Sequence, residues 1–480
     1  MLIPFIAYFC ILLFIGIISH RRQNTDADFI VGNRSLNFWV TALSAHASDM
    51  SSWLFMAFPA AIFLGGLSQA WLAVGLILGM LLNWQVVATR LRVQTENLGC
   101  YTLSTFFEKR FNETSGILRL STAFTILFFL TCYVGAGLIA MGGILESVFG
   151  IDFYIGLTLS SLVILIYTFF GGFITVAWTD VFQALFLITM IILVPFVAYS
   201  HLDMGWQSII QAADAKQISL DFIPDLSISS IAGIVMLALS WGLGYFGQPH
   251  IVTKFMGIKE AADMGKSKVV GMTWQLIALS SAAFVGLVGI AFFKEGLHNP
   301  EKIFVEMVKI LFHPLAAGFI LCGVLAASMS TMDSMILVCG SVVSEDLYKH
   351  MFKKQASGKE LLIVTRFGVC LISALSLFFA LNRNTTIQEA VHYAWSGTGS
   401  AFGPLVLMSL YSKKANKYGA IAGVFVGGIL AATWGLINPY ITSYIVPAMI
   451  PAFFLSWFSI WFVSKITQKL INTDAQTKIA

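Results

Sequence analysis

The chain has 480 residues, of which 58% are hydrophobic and only 11% charged, with a mean hydropathy of +0.84. Soluble domains carry roughly 25% charged residues, so a soluble globular protein is excluded and a polytopic membrane protein is indicated. The formal charge of +4 gives no argument for nucleic acid, and Cys10, Cys100, Cys132, Cys322, Cys339 and Cys370 are scattered without a C-x-x-C pair, so neither a disulfide framework nor a transition-metal site is expected.

Met1 to Ser19 is apolar and lacks the basic start of a cleaved leader; Arg21 and Arg22 follow it instead. It reads as an uncleaved first span with its N-terminus outside. Apolar runs of membrane length, about 20 residues, recur thirteen times. They fall near 2–19, 36–62, 67–89, 117–145, 151–171, 176–200, 228–251, 270–293, 311–344, 361–381, 385–411, 418–437 and 443–466, with 303–312 as an amphipathic approach to the ninth. With this alternation all but five of the 28 basic residues lie on the cytoplasmic side, the exceptions being Lys216, Lys294, Lys302, Lys309 and Arg383. That bias fixes orientation: a multi-pass protein of the plasma (inner) membrane, N-terminus outside and C-terminus cytoplasmic. No soluble domain is expected beside the loop at 201–227 and the tail after Lys465.

The second run is interrupted by Ala45-His46-Ala47-Ser48-Asp49-Met50-Ser51-Ser52-Trp53. A carboxylate and three hydroxyls near the centre of a span are costly unless they face a partner or a cavity. Two readings follow: a structural Asp that caps a kink, or a helix broken at mid-membrane to bind an ion and a small polar solute. Five spans later, Ser240-Trp241-Gly242-Leu243-Gly244-Tyr245-Phe246-Gly247-Gln248-Pro249 places three glycines and a proline in the seventh run. Gly and Pro free backbone groups from the helix ladder. Interruptions at matching positions of two halves point to an inverted-repeat transporter, although glycine also serves close helix packing. The expected layout is one integral membrane domain over 1–480: a first span and loop (1–35), a five-span repeat (36–200), a second (228–411), and two extra spans with a short tail (412–480).

Carboxylates away from the interfaces are Asp49, Asp180 and Asp333, and no Lys or Arg is expected deep in a span. Hydroxyl, carboxylate and carbonyl oxygens without a fixed cation suit a hard ion. In the ninth run Ser330, Thr331, Asp333 and Ser334 supply four oxygen side chains; Ser330 shares a helix face with both Asp333 and Ser334. The same run could instead be hydroxyl glue between helices.

Several motifs resemble those of the sodium/solute symporter family, in its sodium/proline branch. They are Gly32-Asn33-Arg34-Ser35-Leu36, Ala47-Ser48-Asp49-Met50-Ser51 with Trp53, Gly171-Gly172-Phe173, Trp178-Thr179-Asp180, Trp241 through His250, Met329-Ser330-Thr331, Ser344-Glu345-Asp346-Leu347-Tyr348 and Ala401-Phe402-Gly403-Pro404. The resemblance runs from about residue 5 to 465. It implies an all-α, LeuT-like core of inverted five-helix repeats with two broken helices. It implies sodium, as co-transported ion and not cofactor, on the carbonyls of Ala47, Met50 and Ala327 and the hydroxyls of Ser330 and Thr331. Asp49 would stand nearby, and Arg34 would act in coupling. Proline would meet Ser51, Ser52, Tyr133, Trp241, Tyr245 and Pro249, with Thr398 near the outer gate. A zwitterion suits this stretch, since its carboxylate can face the half-helix N-terminus at Ser51–Trp53.

Departures bear on the solute. Ser52 stands where glycine is usual, and Ser396 and Thr398 add hydroxyls in the eleventh span. Asp333 replaces a hydroxyl and, with Asp180 and Ser334, suggests a second cation site; His46 replaces a glycine and reads as a packed side chain more readily than a pH switch. The expected function is sodium-coupled L-proline uptake by alternating access. The alternative is a sodium- or proton-coupled symporter of the same family for another small polar solute. An enzyme is not indicated, for want of a nucleophile–base pair, and a channel would need a polar stripe through several spans.

Overall fold

The computed structural model describes residues 2–20, 26–382, 385–442 and 444–477; Arg21, Arg22, Arg383 and Lys478 fall outside them. Helices account for nearly every element, and the described residues contain one isolated bridge, between Leu36 and Ile258, and no strand. Thirteen helical stretches lie where the apolar runs are. Ten are long and apolar enough to cross a membrane, and a bent pair makes an eleventh. The remaining two are Leu2–His20, an apolar helix of 19 residues, and Ile387–Tyr411, which carries His392 and the polar run Ser396–Ser400. The approach to the ninth span is a separate helix, Ile303–Leu311.

The bent pair is the second run. Asn37 caps its first helix, Phe38–Met50, by accepting from Val40 N–H at 2.9 Å. That helix stops at Ser51, whose φ of 45° is a conformation L residues rarely adopt. Thr331 of the ninth span holds it there: Ser51 N–H donates to Thr331 Oγ1 at 3.1 Å. The chain then runs through Ser52–Leu54 into Ala57–Gly65, bent 68° from the first half.

The seventh run breaks differently. Ile228–Gly242 passes into a tight turn, Leu243–Gly247, extends at Gln248, and restarts with Pro249 as the first residue of Pro249–Met256. Proline suits that position because its missing N–H has no helical partner there. Gln248 ties the break to a neighbouring helix: its Nε2 donates to Gly244 O within the turn and to Trp395 O of Ile387–Tyr411 at 3.3 and 3.1 Å. Glycine is required at 244, where a Cβ would stand 2.0 Å from the Trp395 indole nitrogen. The half-helix Phe38–Met50 packs among Phe173–Ser200, Pro249–Met256, Met264–Phe292 and Pro314–Ser341, so its polar residues face protein rather than lipid.

Candidate ion and solute site

The expected cation ligands converge between the first break and the ninth span. Ser330 Oγ donates to Ala47 O at 2.8 Å and to Ala327 O at 3.1 Å. Thr331 Oγ1 donates to Ala327 O at 3.2 Å while accepting from Ser51 N–H. Met50, buried, is the last residue of its helix, and the last carbonyls of a helix have no partner one turn on. The break thus delivers carbonyl oxygens to two hydroxyls on a straight helix, an oxygen-only set suited to a hard monovalent ion.

One residue from this cluster, Asp49 turns the other way. It faces a closed pocket with Trp53, Tyr133, Trp241 and Tyr245, and its Oδ2 accepts from the Tyr245 hydroxyl. Tyr245 in turn accepts from Gln275 Nε2 at 2.9 Å. Met50, Leu76 and Trp395 complete the wall. The space between these side chains, about 10 Å³ for a water-sized sphere, holds roughly one water, so the pocket is closed down around its aromatic lining. Ser52 is buried with its hydroxyl unpartnered. Pro249 instead borders a small cleft with Tyr101, Thr102 and Ser341, and Thr398 Oγ1 donates to Gln248 Oε1 at 2.8 Å; neither lines the pocket. His46 is packed, stacked on Trp84 and accepting from its indole N–H at 3.2 Å.

The expectation of no fixed cation in the membrane is corrected by Lys254. Its Nζ lies 2.9 Å from Asp180 Oδ2, and the side chains are 2% and 0% exposed. The restart of the helix at Pro249 carries Lys254 inward, a turn and a half from the break, where the sequence alone placed it in a loop. Ser44 and Ser48 donate to the same carboxylate oxygen at 2.6 and 3.3 Å, and Ser48 meets Ser334 at 3.0 Å. Asp180 Oδ1 and both oxygens of Asp333 are buried without a hydrogen bond. Asp180 and Ser334 therefore meet through Ser48, with Asp333 next to Ser334 in the chain, and Lys254 brings an ammonium group to the same place.

The two ends of the pocket differ. On one side Arg34 donates to Met256 O at 3.1 Å and Cys100 O at 2.9 Å. Arg92 donates to Ile258 O and Lys259 O at 2.7 and 3.0 Å, and Leu36 pairs with the backbone at 257–259. That side is sealed. On the other, a vestibule of about 680 Å³ runs down between Ala57, Ala140, Glu301 and Gln388. Trp53 lines the closed pocket and not the vestibule, and it joins the two as a floor through its indole N–H, which donates at 2.7 Å to Oε1 of the vestibule residue Gln388. Glu301 fixes that position by accepting from the N–H groups of Ile387 and Gln388 at 3.3 and 3.1 Å. Burial pushes the Glu301 carboxyl above its ordinary range, against those two bonds. Sequence reading missed Gln388 and Glu301, which carry no motif.

Losing one such hydrogen bond costs about 0.5–1.5 kcal/mol. Gln388→Leu is therefore expected to open the floor more often by roughly 2- to 12-fold. The check is the rate at which a cysteine at Leu76, in a background without the six native cysteines, is modified by a polar thiol reagent from the vestibule side. An unchanged rate would show that Trp53 is held by its packing alone.

Two broken spans, oxygen ligands at one break, a closed aromatic pocket and one sealed side define a secondary transporter that carries an ion with a small solute. A model of the sodium:solute symporter family matches residues 29–427, and the chain belongs to that family. It is 41% identical over 431 residues to the osmoregulated proline transporter OpuE of Bacillus subtilis, covering 89% of this chain and 87% of that one. It is 40% identical over 443 residues to the sodium/proline symporter of Escherichia coli, covering 90% and 87%. Among solved structures, a substrate-bound Na+-coupled sialic acid symporter superposes with a TM-score of 0.81 at 20% identity, covering 97% of each chain. MhsT in complex with L-phenylalanine superposes at 0.56 and 14% identity, covering 88% of this chain and 97% of that one. These likenesses bear on the fold, which is that of the LeuT-like transporters.

Proposed function

We propose that this protein couples downhill entry of Na+ to uptake of L-proline by alternating access. Spans two to six and seven to eleven form the two inverted repeats, and the first and last two spans lie outside them. The protein sits in the plasma (inner) membrane with its N-terminus outside, so that the vestibule faces out and the Arg34 side faces the cytoplasm. The observation that carries the reading is the join between Ser330 and Ala47: a cation there ties the broken helix to the ninth span. The names of the relatives supply the solute.

Sodium takes the carbonyls of Ala47, Met50 and Ala327 with the hydroxyls of Ser330 and Thr331. It holds the break in the shape that forms the pocket, so substrate affinity rises with sodium and, reciprocally, sodium affinity with substrate. Proline places its carboxylate at the break beside Ser51 and Ser52, at the start of the second half-helix, and its ring against Tyr133, Trp241 and Tyr245. Asp49, inside the pocket, takes the ammonium. Arg34 must release Met256 and Cys100 for inward opening, which is its part in coupling. Asp180, Asp333 and Ser334 form a second cation locus in which Lys254 already supplies one positive charge. The unpartnered hydroxyl of Ser52 favours one further reading, a small solute more polar than proline.

Uptake of labelled L-proline into proteoliposomes, with and without an inward sodium gradient, tests the assignment. Accumulation that depends on the gradient is expected. No accumulation by a preparation that takes up another amino acid would remove proline, and accumulation indifferent to sodium would remove the coupling.

A further inference from the structure

At the sealed end of the bundle, away from the transport path, a cleft of about 370 Å³ lies between the end of Ile387–Tyr411, the turn at 412–416 and the last helix, Met449–Thr477. Its polar wall is Lys414, Lys465, Ser412, Ser464 and Gln468. Neither lysine makes an ion pair among the described residues. Lys465 Nζ instead lies 5.2 Å over the Trp461 ring.

The cleft is built rather than incidental. Asn416 fastens the turn to the last helix: its N–H donates to Ser464 Oγ at 3.1 Å, and its Nδ2 to Ser464 O and Thr467 Oγ1 at 3.1 and 3.0 Å. Ser412 Oγ accepts from the N–H groups of Lys414 and Ala415. The two ammonium groups are thus presented from a braced corner. Toward the membrane centre the last helix continues as an exposed aromatic track, with Trp461, Phe458 and Phe454 each about half exposed. In a membrane helix such a face meets acyl chains, and an indole at this depth marks the headgroup level.

We propose that this cleft binds an anionic phospholipid, its phosphodiester between Lys414 and Lys465 and its acyl chains along Trp461, Phe458 and Phe454. A zwitterionic lipid offers the same phosphate but brings its own cation, which two unpaired lysines repel; two lysines at a membrane surface set a preference of about 30-fold for the anionic lipid. A bound lipid would also steady the end of the helix whose other end holds Gln388 and whose middle carries Trp395. The inference requires only that the chain spans a membrane and is independent of the solute.

The full-length protein, purified and stripped of lipid, is titrated with phosphatidylglycerol, phosphatidylcholine or inorganic phosphate. Thermal unfolding and native mass spectrometry are the readouts. Phosphatidylglycerol is expected to raise the unfolding temperature and stay bound at about 30-fold lower concentration than phosphatidylcholine. Lys414→Gln with Lys465→Gln should erase that preference without lowering lipid-free stability, since both side chains are exposed, while Lys414→Arg with Lys465→Arg should keep it. Equal binding of the two lipids, or an unchanged preference in the Gln variant, would overturn the proposal. A full response to inorganic phosphate alone would reassign the cleft to a free anion.

Discussion

Lys254→Met is expected to destabilise the protein by about 3–5 kcal/mol, the cost of removing one partner of a buried ion pair. The variant leaves the Asp180 carboxylate with two hydroxyl donors, Ser44 and Ser48, and no cation at hydrogen-bond distance, in a place from which water is excluded. Asp333, also buried, adds a second acid that has lost the same neighbour. The charge-balanced pair Asp180→Asn with Lys254→Met should recover most of the loss, because neutral groups of similar size are tolerated where a lone charge is not. Thermal unfolding of the three proteins in one lipid composition is the measurement. A further arm separates a structural contact from a cation locus. If Na+ can take the place of the ammonium, the deficit of Lys254→Met should shrink when sodium replaces choline, by the free energy of the ion bound only to the folded state. Equal stability of the native protein and Lys254→Met would show that Asp180 does not depend on this lysine.

Much of this architecture was legible in the chain because membrane physics leaves few choices. A backbone without water must close its hydrogen bonds within helices, so thirteen apolar runs gave thirteen helical stretches. A carboxylate and clustered hydroxyls at mid-span gave a break, and three glycines with a proline gave the other. The convergence of Ala47, Ala327, Ser330 and Thr331 could be anticipated from oxygen chemistry joined to family resemblance. What composition could not convey was the direction of side chains after each break. Asp49 and Ala47 are two residues apart on one helix and face different compartments of the site, the pocket and the ion cluster. Lys254 stands three residues beyond the expected end of its span, close enough to the margin of such an assignment to be taken for a loop residue. The helix restart at Pro249 decides otherwise. Gln388 and Glu301 were silent for another reason: a gate contact depends on which loop meets which helix end, and no local pattern records that.

Ser330→Ala and Thr331→Ala should each raise the sodium concentration for half-maximal uptake by roughly 10- to 150-fold, the equivalent of about 1.5–3 kcal/mol for one polar contact to a charge. The reason is positional. Ser330 Oγ bridges Ala47 O and Ala327 O, so it is the atom through which the broken helix and the ninth span share whatever lies between them. Thr331 Oγ1 bonds both Ala327 O and Ser51 N–H, so it also supports the strained residue at the break. Loss of Thr331 is therefore expected to weaken proline binding at saturating sodium somewhat, whereas loss of Ser330 should leave it nearly unchanged. Neither should alter the ranking of competing solutes. Ser52→Gly is the contrast: it removes a buried hydroxyl that has no partner and should change which solutes compete with proline, with little effect on the sodium requirement. Sodium titrations of initial uptake rate, run beside a competition panel, separate the two classes of variant. Should Ser52→Gly move the sodium curve while Ser330→Ala moves the competition ranking, the ion and solute sites have been assigned the wrong way round.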